Sequence, residues 1–229
     1  MLPSGITHVL FDLDGTLADT APDLGAALNR LLQRHGREPL GMQLIRPAVS
    51  LGSAALVELG FHISRDDPCF AGLRNEFLDL YAQCLADETR LFPGVDEVLD
   101  QLDQRRLAWG IVTNKLARLT QPVVSALGLW GRARCVVSGD TTGRAKPDPE
   151  PLLHACRLMS CAARDAVYVG DARADIEAAR RAGMAAVAAG YGYTPPGEDV
   201  ERWGADAILA KPGDLLPWLG RKIQNRGSE

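Results

Sequence analysis

The sequence predicts an α/β fold: a parallel-sheet core carrying one inserted all-helical segment. Three observations lead there. From Leu107 onward, short apolar runs alternate with helical patterns, as in the strand–helix–strand units of a parallel sheet. One strand-like run, Val9-Leu10-Phe11, stands far upstream of the others. The stretch between, residues 18–88, has helical spacing and no strand pattern.

The elements can be justified in order. Val9, Leu10 and Phe11 read as a buried strand, which ends in Asp12-Leu13-Asp14-Gly15-Thr16. Gly15 permits a turn that few other residues can make. Asp19 or Thr20, with Pro22 just behind, marks a helix start. Leu24, Leu28, Leu31 and Leu32 then recur at helical spacing up to His35-Gly36. A short helix is expected over 41–46, stopped near Pro47, then a loop over 50–53 leading into a helix from Ala54. Asp66-Asp67-Pro68 opens another helix, with Phe70, Leu73, Phe77, Leu78, Tyr81 and Leu85 on one face. Past the Phe92-Pro93-Gly94 turn, Val95, Val98, Leu99 and Leu102 form a helix stripe. Strands are expected at 107–112, 135–137, 166–169, 184–189 and 207–209. Helices are expected between the first two, bent at Pro122, and at 149–159, 175–182 and 212–219. Residues after Gly220 read as frayed. The domain division is then 1–17 and 90–229 for the core, with 18–89 as a helical cap.

A chain of 229 residues suits one such domain with an insertion, or two small domains. Its net charge of −4 and pI near 5.6 argue against a nucleic-acid partner. No uncharged apolar run reaches membrane-spanning length. Met1-Leu2-Pro3-Ser4-Gly5 lacks the basic-then-apolar pattern of a signal peptide. Cys69, Cys84, Cys135, Cys156 and Cys161 are odd in number and not spaced for zinc or redox pairing. Free thiols in a reducing cytoplasm are expected. His8, His35, His62 and His154 sit near no Cys or carboxylate at ligand spacing.

The chemistry lies at the strand ends. Asp12 and Asp14, Thr113 and Asn114, the 138–140 turn, and Gly170 and Asp171 each follow an apolar run. Open parallel sheets place ligands along that edge. Lys146-Pro147 adds a cation nearby, and Asp175 follows Asp171 by four residues, one helical turn if Asp171 is the helix N-cap. Any one of these residues is common at helix starts and turns, so their joint order is what carries the argument. Together they fit phosphoryl transfer. Asp12 attacks phosphorus, and Asp14 gives a proton to the departing oxygen. Mg²⁺ on Asp12, Asp171 and the Asp14 carbonyl offsets charge. The Thr113 hydroxyl holds phosphoryl oxygens. Lys146 neutralises charge, and Asp175 acts from behind the metal or Lys146. Thr16 and Asn114 are the expected substrate contacts on the core. In the insertion, Arg46, Ser50 and Gly52 are expected to take a substrate carboxylate, since a guanidinium beside a helix N-terminus favours an anion.

With these motifs in place, the chain resembles the haloacid dehalogenase-like hydrolase superfamily. Asp12-Leu13-Asp14-Gly15-Thr16 matches the first motif, Thr113 the second, Lys146-Pro147 the third, and Gly170-Asp171 through Asp175 the fourth. The resemblance implies a Rossmann-like core, a helical cap after the first strand, Mg²⁺, and a small phosphorylated metabolite as substrate for a monomer or homodimer. Leu91-Phe92-Pro93-Gly94, Val112-Thr113-Asn114-Lys115, Lys146-Pro147-Asp148-Pro149 and Tyr191-Gly192-Tyr193 look most like the phosphoglycolate phosphatase group. Trp109 to Thr113 and Trp203-Gly204-Ala205-Asp206 are similar to phosphatases of N-acetylmuramic acid 6-phosphate. The departure is Ala172, where the superfamily commonly carries Ser or Thr. A sugar phosphomutase and a non-enzymatic binding protein are the competing readings. Intact Asp12, Asp14, Thr113, Lys146 and Asp171 argue against the second, and a dehalogenase does not need Asp14.

Overall fold

The computed structural model describes residues 5–195 and 197–224. In chain order the strands are β1 (His8–Phe11), β2 (Ala18–Asp19), β3 (Arg90–Leu91), β4 (Ala108–Val112), β5 (Val136–Val137), β6 (Ala166–Gly170), β7 (Ala185–Ala189) and β8 (Ala207–Leu209). The helices are α1 (Ala21–Arg34), α2 (Met42–Ile45), α3 (Gly52–Phe61), α4 (Phe70–Ala82), α5 (Val95–Gln104), α6 (Ala117–Ala126), α7 (Glu150–Leu158), α8 (Arg173–Ala182) and α9 (Leu215–Gln224).

Six of the strands form one parallel sheet in the order β5-β4-β1-β6-β7-β8. β1 lies inside it because it has no polar face. Val9 and Phe11 join the apolar cluster on one side and Leu10 the cluster on the other. A strand covered on both faces reads as a continuous apolar run rather than an alternating one. α5, α6 and α9 contribute Leu99, Val123 and Trp218 to the first cluster. α7 and α8 contribute Leu152 and Ile176 to the second.

Helices α1 to α4 form the inserted layer, with α1 packed on α4 and α3 on both. The chain enters and leaves it through β2 and β3, an antiparallel pair with Ala18 opposite Leu91 and Asp19 opposite Arg90. This strand pair was not expected, because two residues carry no periodicity to read. Across it, the buried Asp23 of α1 accepts hydrogen bonds from the Glu88 N–H, the Thr89 N–H and the Thr89 hydroxyl.

The loop expected over 50–53 is helical instead. A 3₁₀ turn spans Arg46–Leu51 and runs straight into α3. Pro47 sits in its first turn, where a missing N–H costs nothing. Gly52, at φ 82° and ψ −178°, makes the junction in backbone space that other residues avoid. Among the described residues, Met42–Phe61 is the single helical stretch long and apolar enough to cross a membrane. It contains Arg46 and Glu58 and buries Ile45, Leu56 and Val57 in the core. α9 continues to Gln224, past the expected end near Gly220. The readings for residues 1–4 and 225–229 lie outside the described residues.

Candidate active site

Sheet register assembles the site. Phe11 lies opposite Ile111 of β4 and Val169 of β6. The chain therefore leaves β1 at Asp12 level with Val112 and Gly170, the last residues of β4 and β6, and Thr113 and Asp171 follow directly after them. The Asp12 N–H donates to the Val169 carbonyl at 2.9 Å, which holds it on the sheet edge. Gly15 turns the chain at φ 79°, and a Cβ there would meet Asp171 Oδ2 at 2.1 Å.

Lys146 lies at the centre of the floor, with its side chain 2% exposed. Its ammonium is 2.9 Å from Asp12 Oδ1 and 2.7 Å from Asp175 Oδ1. It donates to the Tyr168 hydroxyl at 2.7 Å and the Val112 carbonyl at 3.1 Å. Burial works against this charge, but Asp12 and Asp175 outweigh it and push the ammonium up to about 12. Asp12 Oδ1 lies within ion-pair distance yet outside hydrogen-bond alignment, and no group bonds to it. Burial pushes the Asp12 carboxyl up to about 7, with Asp175 and Asp14 adding to the rise and Lys146 opposing it.

Asp14 faces a second lysine. Its Oδ1 accepts from the Lys115 ammonium at 2.7 Å and the Thr20 hydroxyl at 2.6 Å. Thr20 is the N-cap residue of α1, but its side chain bonds Asp14 and not the helix. The Lys115 side chain is 6% exposed, and its ammonium lies 4.6 Å from the centre of the Tyr81 ring of α4. Burial lowers its affinity for a proton, while Asp14 and Tyr81 raise it further, so the ammonium is held charged.

Asp171 is gripped from three sides. Its Oδ1 accepts from the Thr16 hydroxyl at 3.2 Å, and its Oδ2 from the Tyr193 N–H at 3.0 Å. Ser50 of the insertion places one hydroxyl proton within reach of Asp171 Oδ2, at 2.7 Å, and of the Tyr193 carbonyl, at 2.6 Å. Burial, then Asp12 and Asp175, raise the Asp171 carboxyl well above the usual range. Asp171 is not the N-cap of α8, the condition on which the one-turn spacing to Asp175 rests. Ala172 holds that position, and Asp175 accepts its N–H at 3.0 Å. The one-residue shift leaves Asp171 free to face Asp12.

Oxygens of Asp12, Asp171 and Asp175 come within 4.8 Å of one another. Four carboxylates, those of Asp12, Asp14, Asp171 and Asp175, meet two lysines, Lys115 and Lys146. With all four carboxylates ionised, two negative charges would be left over. An all-oxygen donor set with that excess and an unbonded Asp12 oxygen fits a hard divalent cation.

A cavity of about 130 Å³ opens above this floor. Thr113 lines it, and its oxygen accepts the Lys115 N–H at 3.2 Å, leaving the hydroxyl proton to donate. Ser50 and Gly52 line it too. Asn114 also faces it, but its amide clamps the backbone of Lys146, giving to the carbonyl at 3.0 Å and taking from the N–H at 2.9 Å. Thr16 is engaged on Asp171 rather than on the cavity. Arg46 is absent from the lining. Both its terminal nitrogens are on Asp19, at 3.0 and 2.9 Å, and its guanidinium lies over the Tyr193 ring. Asp19 attracts it because both flank the junction where the insertion begins. Sequence reasoning missed Lys115, Tyr168, Tyr81 and Arg74. Arg74 could have been found on the α4 stripe it shares with Leu78 and Tyr81, at spacings of four and seven.

The comparisons agree with this geometry. A family model described as haloacid dehalogenase-like hydrolase matches residues 9–189. The chain is 41% identical over 215 residues to an N-acetylmuramic acid 6-phosphate phosphatase of Pseudomonas aeruginosa, covering 94% of this chain and 95% of the relative. It is 42% identical over 208 residues to a phosphoglycolate phosphatase of Xanthomonas campestris, covering 90% and 93%. A crystal structure described as a predicted phosphoglycolate phosphatase from Haemophilus somnus superposes with a TM-score of 0.83 at 26% identity, covering 93% of this chain and 97% of that one. With motifs, sheet order and relatives in agreement over nearly the whole length, the chain belongs to the haloacid dehalogenase-like hydrolase family, among relatives named as phosphatases.

Proposed function

We propose that this protein is a Mg²⁺-dependent phosphomonoesterase of the cytoplasm, acting through an aspartyl phosphate on a small metabolite that carries a carboxylate. The observation that supports this most is Asp12: a buried carboxylate on the cavity floor whose Oδ1 is ion-paired with Lys146 at 2.9 Å but accepts no well-aligned hydrogen bond from any described residue. A carboxylate oxygen of Asp12 forms the new bond to phosphorus as the bond to the leaving alcohol breaks. Thr20 and Lys115 both hold Asp14 by Oδ1. Oδ2 is therefore the oxygen that hands a proton to the departing alkoxide and later takes one from the hydrolytic water. Thr113 donates to a phosphoryl oxygen, and Lys146 balances charge on the phosphoryl group as it moves. Asp12, Asp171 and the Asp14 carbonyl would hold the cation, with Asp175 supporting Lys146 from behind. When bound, the cation supplies charge neutralisation between nucleophile and phosphate.

Residues 18–89 act as the cap in this reading, entered and left through β2 and β3. Both named relatives act on phosphates that also carry a carboxylate. Purified protein should release phosphate from 2-phosphoglycolate, N-acetylmuramic acid 6-phosphate or both, in Mg²⁺ and not in EDTA. No phosphate release from these or from p-nitrophenyl phosphate would overturn the reading. Conversion of a sugar 1-phosphate to its isomer without phosphate release would replace it with a mutase.

A further inference from the structure

We propose that Arg74 on α4 recognises the substrate carboxylate, and that the substrate body bears apolar surface, as a substituted sugar-acid phosphate does. This rests on the phosphatase reading above and assigns the part of the substrate that the catalytic floor does not touch.

Arg74 lines the same cavity as Asp12 and Thr113. Its Nε donates to the Ser53 hydroxyl at 3.0 Å, which sets the direction of the guanidinium. Its two terminal nitrogens have no partner among the described residues, and no carboxylate there lies within ion-pair distance. Arg46 is the contrast, since both of its terminal nitrogens are taken by Asp19. A guanidinium with its terminal edge open accepts a carboxylate through two parallel hydrogen bonds.

A second observation is independent of the first. Tyr81 also lines the cavity and is 1% exposed; its hydroxyl sits beside the Lys115 ammonium but makes no well-aligned hydrogen bond among the described residues. Lys115 can only donate to that hydroxyl, so the hydroxyl's own proton lacks an acceptor, which is expected to arrive with the ligand. Arg74 and Tyr81 are seven residues apart on one helix, two turns along the same face.

The remaining wall decides the class of substrate. Leu24, Val49, Leu56, Leu78 and Leu119 line the cavity around these polar groups. 2-Phosphoglycolate offers them one methylene. N-acetylmuramic acid 6-phosphate offers an acetamide methyl, a lactyl methyl and the C–H edges of its ring, each favoured against an apolar wall. It also carries its carboxylate on the lactyl arm, away from the phosphate.

The test uses full-length enzyme in Mg²⁺ with N-acetylmuramic acid 6-phosphate and N-acetylglucosamine 6-phosphate, the same sugar without the carboxylate arm. Arg74→Ala should lower kcat/KM for the first by about ten- to hundredfold, mostly through KM. That drop should exceed the drop on the second by about tenfold or more. Arg74→Lys should recover part of the loss, because the charge remains and the fork does not. Equal losses on both sugars, or no loss on the first, would overturn the assignment. Wild-type enzyme should prefer N-acetylmuramic acid 6-phosphate to 2-phosphoglycolate, and the reverse order would overturn the apolar part. Failure of all three phosphates to react would count against the phosphatase reading itself, whatever Arg74 does.

Discussion

The floor of the cavity and its helical wall are bonded in opposite ways. On the floor, Lys146 pairs with Asp12 and Asp175, Lys115 pairs with Asp14, and Asp171 is held by Thr16, Ser50 and Tyr193. On the wall, the terminal nitrogens of Arg74 have no partner and the Tyr81 hydroxyl proton has no acceptor among the described residues. A floor whose charges already hold one another needs no rearrangement when charge develops during reaction. A wall with free donors gains its bonds only from the ligand it meets. The difference is what the proposed division requires, with chemistry at the sheet edge and choice of substrate in the insertion.

The sharpest way to break this division is at Asp12. Asp12→Asn keeps the shape and removes the nucleophile. Turnover should fall by about 10⁴-fold or more on every phosphate, whatever the wall recognises. Retention of a tenth of the wild-type rate in a phosphate-release assay would end the covalent mechanism.

Asp14→Asn should cost less and depend on the leaving group. Asn still offers an oxygen to Thr20 and Lys115 but has no proton to pass on. Alkyl phosphates should slow by about 10²–10³-fold. An aryl phosphate needs little help to depart, so its first step should slow far less, and phosphoenzyme should accumulate. Equal slowing of the first step for alkyl and aryl substrates would remove Asp14 from the general-acid role.

The two halves also differed in how far the sequence revealed them. Asp12, Asp14, Thr113, Lys146 and Asp171 were legible because parallel strands bring their C-terminal ends to one edge. A residue just after an apolar run thereby declares its place. The same logic located the insertion from its helical spacing. What stayed hidden depends on direction rather than position. Nothing in the Thr113-Asn114-Lys115 run says that Lys115 turns to Asp14 while Asn114 turns to the Lys146 backbone. Arg46 and Arg74 are both arginines near apolar stripes, and contacts distant in sequence decide which is consumed. Asp19 consumes the first, and among the described residues no carboxylate reaches the second. The expected start of α8 at Asp175 lies two residues past the observed one at Arg173, because Ala172, a residue that caps helices poorly by itself, takes the N-cap position with Asp175 supplying the capping oxygen.

A smaller effect sharpens the floor alone. Burial holds the Asp12 carboxyl at about 7 and raises that of Asp171 well above the usual carboxylate range. A carboxyl raised in the folded state favours folding fully below its unfolded pKa of about 3.9 and loses that benefit as pH rises through the folded value. In EDTA the melting temperature should therefore fall between pH 6 and pH 8. A divalent cation on these oxygens keeps them ionised and flattens the dependence. The gain in Tm from Mg²⁺ should be larger at pH 8 than at pH 6 by about 2–4 °C, the effect of about 1 kcal/mol in a chain of this size. Equal gains at the two pH values would move the cation off this cluster.

The smallest effect separates the two arginines. Arg46 makes its ion pair with Asp19 while 41% exposed, against 29% for the carboxylate. Water screens such a pair, and pairs of this kind are worth about 0.2–1 kcal/mol. Asp19 does not depend on it, since the Tyr193 hydroxyl donates to the same carboxylate at 2.6 Å and accepts the Ala21 N–H at 3.0 Å. These contacts lie where β2 passes into α1, at the entrance to the insertion and off the cavity. Arg46→Ala should therefore lower Tm by no more than about 4 °C. It should reduce kcat/KM by the same small factor, about fivefold at most, with N-acetylmuramic acid 6-phosphate and with N-acetylglucosamine 6-phosphate. An effect shared by both sugars identifies a contact that steadies the junction. A loss confined to the carboxylated sugar would mean that Arg46 leaves Asp19 when substrate enters, and the carboxylate site would pass from α4 to the 3₁₀ turn ahead of α3.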